Sequence, residues 1–190
     1  MAGFRAALAG LADRARPESL VDVGCGEGVL TSELAERVGL GCRVVGVDVE
    51  DPRLRAEWRR RSRPNLEYGV GDASSLPFAD DEFDVACATE LLEHVEEPAA
   101  AMRELRRVAR RWLFLSVPRE PLWRACNIAR GAYVTSLGNT PGHVHHWSAR
   151  GFASMAARYG EVAEVRRPLP WTMLLLRVGP ERVSAPAAGT

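Results

Sequence analysis

Apolar residues in this chain recur with two periods, and the alternation between them spells out a succession of strands and helices. Leu20–Val23, Cys42–Val47, Leu66–Val70, Phe83–Ala88 and Trp112–Val117 are short apolar runs bounded by turn residues, which predicts five strands. Between them the spacing turns helical. Phe4, Leu8, Leu11 and Ala12 share one face of an opening amphipathic helix, and Val29, Leu30, Leu34 and Val38 repeat at helical intervals until Gly39 and Gly41. Asp51–Arg63 is a charged helix with Pro52 in its first turn and Pro64 past its end. Pro98 opens another, with Met102, Leu105 and Ala109 as its buried stripe and Arg103, Arg106, Arg107 and Arg110 as a solvated basic face. Ser148 caps a last helix carrying Phe152, Met155 and Tyr159, ended by Gly160. Val162–Val165 and Thr172–Val178 read as two final strands, the second placed to return antiparallel, and the tail from Gly179 reads as disordered. The pattern predicts an α/β fold: a doubly wound seven-stranded sheet, mostly parallel with one antiparallel strand near the C-terminus, forming one domain over residues 1–178.

One stretch breaks the rhythm. Arg119 to Trp147, roughly 30 residues rich in Gly, Pro and aromatics, is longer than an ordinary connection and weakly helical only near Trp123–Ala129. It is expected to be a functional insertion or lid, with Trp123, Tyr133 and Trp147 as candidate pocket-lining residues or, equally, core anchors.

The first strand runs into Val21-Asp-Val-Gly-Cys-Gly-Glu-Gly28. Glycines there let the chain turn tightly from strand to helix, tolerate positive φ, let a ligand approach the backbone and leave N–H groups free at a helix N-terminus. A dinucleotide fingerprint would need its third glycine at Val29, so nicotinamide and flavin cofactors fall in rank. Gly24, Asp48 and Asp72 each follow a successive predicted strand, so in a doubly wound sheet they line one crevice. Asp48 is suited to accept two hydrogen bonds from a ribose diol, or to cap a helix. Asp72 is suited to accept from an adenine amino group while Ala73 N–H donates to the ring, or to form a turn.

Charge and composition narrow the chemistry. Net formal charge is zero, giving no bulk attraction to nucleic acid or anionic membrane, and 46% hydrophobic content over 190 residues suits one well-buried core. All 25 basic residues are arginine. Without lysine there is neither a Schiff-base lysine nor a P-loop lysine. Cys25, Cys42, Cys87 and Cys126 show no C-x-x-C spacing, which points to free thiols in a reducing, cytoplasmic setting. The longest apolar runs fall far short of the ~20 residues that span a bilayer, and the N-terminus has no signal-peptide layout.

Val21–Gly28, Val47-Asp48-Val49, Gly71-Asp72-Ala73, Leu76-Pro77-Phe78-Ala79-Asp80 and Phe83-Asp84-Val85, in this order, resemble the class I S-adenosylmethionine-dependent methyltransferases, a Rossmann-like family, over roughly Leu20 to His94. The resemblance implies S-adenosylmethionine as cofactor. It places Gly24 and Gly26 against the methionine part, Asp22 as organiser of the loop, Asp48 on the ribose, Val49 on adenine and Asp72 with Ala73 at the base edge. Ala88-Thr-Glu-Leu-Leu-Glu-His94 resembles the motif after the fourth strand, which makes Thr89 and Glu90 candidates to face cofactor and acceptor. An Asn/Asp-Pro-Pro-Tyr pattern is absent there, which counts against nucleobase acceptors.

Methyl transfer from a sulfonium needs alignment, exclusion of water and, for a hydroxyl acceptor, a base. His94, His143, His145 and His146 are the histidines, and His143, His146 and His94 are the candidate bases, with hydrogen bonding in a packed loop as the alternative role. No metal site is expected, because His145 and His146 are adjacent and point apart and no carboxylate lies close in sequence. The expected activity is methyl transfer to a small or lipid-like acceptor. A methyltransferase for RNA or protein and a non-catalytic cofactor-binding module are the alternatives.

Overall fold

Strand β1 (Ser19–Val23) shows how the sheet divides the molecule. Leu20 turns to one face while Val21 and Val23 turn to the other, and each face meets its own core. A computed structural model describes residues 1–179. The expectation for the tail beyond Gly179 lies outside the described residues.

The first face is covered by α1 (Ala2–Ala15) and α2 (Val29–Val38), whose Phe4, Leu8, Leu11 and Leu34 pack on Leu20. The strands β2 (Arg43–Asp48) and β3 (Leu66–Val70) flank α3 (Pro52–Arg60) in the chain. Next come β4 (Phe83–Thr89), α4 (Pro98–Val108), β5 (Ala109–Pro118), α5 (Leu122–Ala129), a single 3₁₀ turn at Val134–Ser136, and α6 (Ala149–Ala156). β6 (Glu161–Arg166) and β7 (Trp171–Arg177) complete the sheet. Met102 and Leu105 of α4 and Phe152 of α6 cover the opposite face, against Val21, Val45, Ala86, Leu113 and Leu174.

The strand order is β3-β2-β1-β4-β5-β7-β6. β1 to β5 pair in parallel, and β7 runs antiparallel to both its neighbours. The doubly wound sheet with one reversed strand is therefore present as expected. After β3 the chain crosses back to place β4 beside β1, and that switch opens a crevice at the carboxyl ends of the strands.

Several boundaries differ from the sequence expectation. Ala109 is not part of the α4 stripe: its backbone is extended and it pairs with Phe83 as the first residue of β5. α3 stops at Arg60 and α6 at Ala156, short of Arg63 and Tyr159. The arginines read as one solvated face also divide. Arg107 donates to the Leu76 and Phe78 carbonyls and pairs with Glu104 and Asp80, so it pins the Leu76–Asp80 turn. Arg106 donates to Val178 O, and Arg110 belongs to β5 and pairs with Asp84.

Asp84 lies at the amino end of β4, away from the crevice, and its side chain is fully buried. Its Oδ2 accepts from Glu18 N at 2.9 Å and its Oδ1 from Arg110 Nη2 at 2.7 Å, while its own N–H donates to Ser19 Oγ at 2.9 Å. One carboxylate thereby ties together the starts of β1, β4 and β5. Among the described residues no helix is long and apolar enough to cross a membrane.

Candidate functional site

The glycine loop lies between β1 and α2, and its backbone is determined by bonds made within the chain. Gly24, Gly26 and Gly28 have φ of 75°, 53° and 78°, the left-handed region that a side chain disfavours. A Cβ at Gly24 would stand 2.7 Å from Leu91 Cδ1, and one at Gly28 would stand 2.7 Å from ring carbons of Tyr68. Around Gly26 there is nothing within 4 Å of such a Cβ.

The N–H groups of its three glycines and of Cys25 are engaged within the chain, so the N–H groups the sequence leaves for a ligand are not those of the glycines. Gly24 N and Cys25 N both donate to Val47 O, at 2.8 and 3.1 Å, Gly26 N donates to Asp48 Oδ2 at 2.6 Å, and Gly28 N donates to Cys25 O at 2.9 Å. Two aromatic side chains hold the carbonyls. Trp58 Nε1 donates to Gly26 O at 2.8 Å, Tyr68 Oη donates to Gly28 O at 3.0 Å, and the two rings stack with centroids 5.5 Å apart. Sequence reasoning missed both residues. The one available signal was a tryptophan in an otherwise charged α3.

Asp22, inside β1, is 1% exposed. Its Oδ2 accepts from Thr31 Oγ1 at 2.6 Å, and its Oδ1 has no hydrogen-bond partner. Burial raises this carboxyl to about 6, the Thr31 bond pulling the other way and the Asp48 charge adding to the rise. Asp48 ends β2 half-buried, holding Gly26 N and, through Oδ1, Val49 N at 2.8 Å. It does not cap α3, a role taken by Asp51, whose carboxylate accepts from Arg53 N at 2.7 Å. Val49 beside it is exposed. Asp72, past β3, is exposed and closes a turn in which Oδ1 accepts from Ser74 N and Ser74 Oγ at 2.8 and 2.6 Å, bonds that lower its pKa. Ala73 is half-buried against the core.

Asp22, Gly24, Gly26, Asp48 and Val49 thus form one contiguous group, and Asp72 with Ala73 stands at the end of the outer strand. Thr89 closes β4 and is buried. Glu90 follows with φ of 55° and donates its N–H to Ser116 O at 3.1 Å. Its carboxyl is raised by burial, with the Trp171 indole opposing. Glu93, which sequence reasoning passed over, is buried, and burial with the neighbouring Glu90 charge pushes it up to about 8.

The 119–147 segment folds against this rim. Arg119 bridges Trp147, Glu120 N donates to Trp147 O, and Val144 and His145 N–H groups donate to Glu93 O at 2.8 and 3.2 Å. Thr140 Oγ1 accepts from both Trp123 Nε1 and Asn127 Nδ2. The histidines separate by environment. His94 is exposed with Nδ1 3.0 Å from Gly142 O, and its ring meets His143 edge-on at 4.8 Å. His143 is lowered to about 4 by burial and by the His94 and His146 charges, so it lacks the basicity expected of a histidine near 6.5. His145 stacks on Trp147, and His146 Nδ1 stands 3.8 Å from Glu120 Oε1. Trp123 and Trp147 pack on opposite cores, while Tyr133 is exposed rather than gathered with them.

Comparison with known proteins bears on the fold and the family. Residues 21–112 match the family described as methyltransferase domain. A demethylmenaquinone methyltransferase of Roseiflexus castenholzii is 36% identical over 127 residues, 64% of this chain and 53% of that protein. A ubiquinone biosynthesis O-methyltransferase of Hahella chejuensis is 32% identical over 149 residues, 75% of this chain and 58% of that protein. The chain spans little more than half the length of these curated relatives. Among solved structures, the magnesium protoporphyrin IX methyltransferase of Synechocystis PCC 6803 with bound SAH superposes with a TM-score of 0.67 at 20% identity, covering 93% of this chain and 84% of that one.

Proposed function

This chain belongs to the class I S-adenosylmethionine-dependent methyltransferase family through its residues 21–112, and on that premise we propose that it transfers the cofactor's methyl group to a small or lipid-like acceptor by in-line displacement. The observation that carries the reading is the state of the glycine loop. The N–H groups of Gly24, Cys25, Gly26 and Gly28 are spent on Val47, Asp48 and Cys25, so the glycines themselves offer nothing to cradle a phosphate. Asp22 keeps a buried oxygen without a partner, Asp48 presents a carboxylate at the crevice, and open space adjoins Gly26. A cationic nucleoside without phosphates suits that polarity.

In this proposal Gly24 and Gly26 lie against the methionine part and Asp22 serves the base of the loop. Asp48 takes the ribose diol and Val49 covers adenine. Asp72, with Oδ1 committed to Ser74, turns Oδ2 to the adenine amino group beside Ala73 N–H, and Thr89 and Glu90 face the reacting end. The bound cofactor supplies a methyl already activated on positive sulfur. The protein aligns the acceptor, excludes water through the 119–147 segment and removes a proton where the acceptor is a hydroxyl. His146, beside Glu120, is the histidine assigned that proton. The quinone-pathway names of the two sequence relatives support a ring-bearing acceptor, and four free cysteines suit a reducing, cytoplasmic setting.

Gly26→Ala separates this cleft from a merely structural loop. Its Cβ meets no protein atom within 4 Å, so the positive φ alone sets the cost, about 1–2 kcal/mol. Affinity for S-adenosylhomocysteine, read by calorimetry, falls on the order of tenfold or more, because the methyl group enters the cofactor's space. Unchanged affinity places the ligand elsewhere.

Asp22 predicts a pH dependence. Its folded pKa of about 6 lies above the ordinary carboxylate value, so the free protein carries Asp22 protonated at pH 5 and ionised at pH 7. A cationic ligand favours the ionised form, so S-adenosylmethionine affinity rises by about tenfold from pH 5 to pH 7 with proton release at the lower pH. Asp22→Asn flattens that profile.

The acceptor is found by incubating the protein with methyl-labelled cofactor and fractionated metabolites. Label entering an apolar low-mass fraction upholds the proposal. Label in RNA or protein favours a macromolecular acceptor, and cofactor binding without homocysteine-adenosine product favours a non-catalytic module.

A further inference from the structure

Glu93, His94 and His143 stand together just past the end of β4, and none of the proposed cofactor contacts uses them. Each offers one metal-ligating atom, and these atoms all lie within 4.8 Å of one another. The sequence argument against a metal weighed only neighbours in sequence, and the turn after β4 brings to His143 a carboxylate that such a reading does not see. Two imidazole nitrogens and one carboxylate suit zinc or a neighbouring first-row divalent ion, whereas Mg²⁺ and Ca²⁺ take oxygen ligands.

Features beyond the donor set point the same way. Glu93 is 1% exposed, yet neither carboxylate oxygen has a hydrogen-bond partner. A buried carboxylate in that state is costly, and a divalent cation relieves it. His94 Nδ1 faces Gly142 O, which can only accept, so Nδ1 carries the proton and Nε2 the lone pair. A backbone carbonyl fixing the tautomer in this way is the usual outer support of a metal-binding histidine. His143, 8% exposed, is flanked by the His94 ring and by the Trp123 ring at 5.9 Å, which restricts its rotation. The two ligand-bearing segments are joined by the bonds from Val144 N and His145 N to Glu93 O.

We propose that Glu93, His94 and His143 form a binding site for one zinc-class divalent cation, with its remaining coordination positions open to water or to an oxygen of the acceptor. Tetrahedral coordination at roughly 2.0–2.1 Å sets ligand atoms roughly 3.4 Å apart, so binding draws the side chains together by about an ångström. The site stands or falls separately from the methyl-transfer reading, because its test needs neither cofactor nor turnover.

Co²⁺ titrated into the purified, chelator-stripped full chain is the probe, read by its d–d absorption and by calorimetric stoichiometry. The expected result is one Co²⁺ per chain, displaced by Zn²⁺, with an absorption spectrum of nitrogen and oxygen ligation. Glu93→Gln and His143→Ala lower the affinity by at least the roughly 10–100-fold that loss of an outer-shell partner costs. His94→Ala, at an exposed position that folding tolerates, does the same, and His145→Ala, outside the set, leaves it unchanged. A cooperative unfolding transition in denaturant identifies the variants that are folded. A thiolate-to-cobalt charge-transfer band would move the metal to a cysteine and overturn the assignment, as would weak non-stoichiometric uptake or a wild-type affinity in the folded His94→Ala chain.

Discussion

Replacing Asp48 by alanine is expected to lower affinity for S-adenosylhomocysteine by on the order of 100-fold or more, with the fold retained. The proposed diol contacts are two hydrogen bonds to an ionised group, each worth roughly 1.5–3 kcal/mol, and tenfold in affinity is about 1.4 kcal/mol. Asp48 also holds Gly26 N and Val49 N, so part of the loss comes from a loosened loop. Asp48→Asn separates the two contributions. The amide keeps one acceptor oxygen and nearly the same shape but no charge, and an intermediate loss, on the order of tenfold, is expected. Calorimetric titration of both variants is the measurement, and alanine binding within a factor of about two of wild type would remove Asp48 from the ribose.

The largest stability effect is expected at the other end of the sheet. Asp84→Ala removes the partner of Arg110 and of the less exposed Arg111, and it leaves Glu18 N without its acceptor. Arg110 stays 43% exposed, so the loss falls below that of a fully buried pair, at about 2–3 kcal/mol. For a chain of this size that corresponds to a fall in melting temperature of about 4–12 °C. Burial pushes the Asp84 carboxyl up, but the Arg110 bond, the Glu18 N–H and the charges of Arg110 and Arg111 outweigh it, so its folded pKa lies below the ordinary value. A lowered carboxylate contributes its full stability above the ordinary pKa of about 3.9 and loses it as pH falls through the folded value. The difference in stability between wild type and Asp84→Asn should therefore stay constant from neutral pH down to about 5 and narrow only below about 4. Denaturant unfolding across that range checks both size and sign. Cofactor affinity of the folded variant should be unaffected, because Asp84 is remote from the crevice.

Much of the fold was legible because β1, β2, β4 and β5 are buried on both faces, and such strands read as continuous apolar runs. The aspartates at the end of β2 and just past β3 were legible for the same reason. What escaped is what only three dimensions supply. Trp58 reaches Gly26 from 32 positions away, and Glu93 meets His143 across an insertion whose path has no periodicity to follow. Arg107 looked like a solvated charge because helix spacing records which side chains share a face, and it is silent about a turn packed beside that face. Ala109 was misplaced because alanine suits a helix end as well as a strand start, and pairing with Phe83 decides between them.

The Trp58 and Tyr68 bonds to the glycine loop carry a consequence for kinetics. A surface already ordered by its own scaffold forfeits little conformational entropy when a nucleoside lands on it. Capture should then proceed in one step at a rate set by diffusion and orientation, without a slow gating phase, and the indole bonded to Gly26 O, beside the proposed landing site, gives stopped-flow fluorescence a native signal with which to watch it.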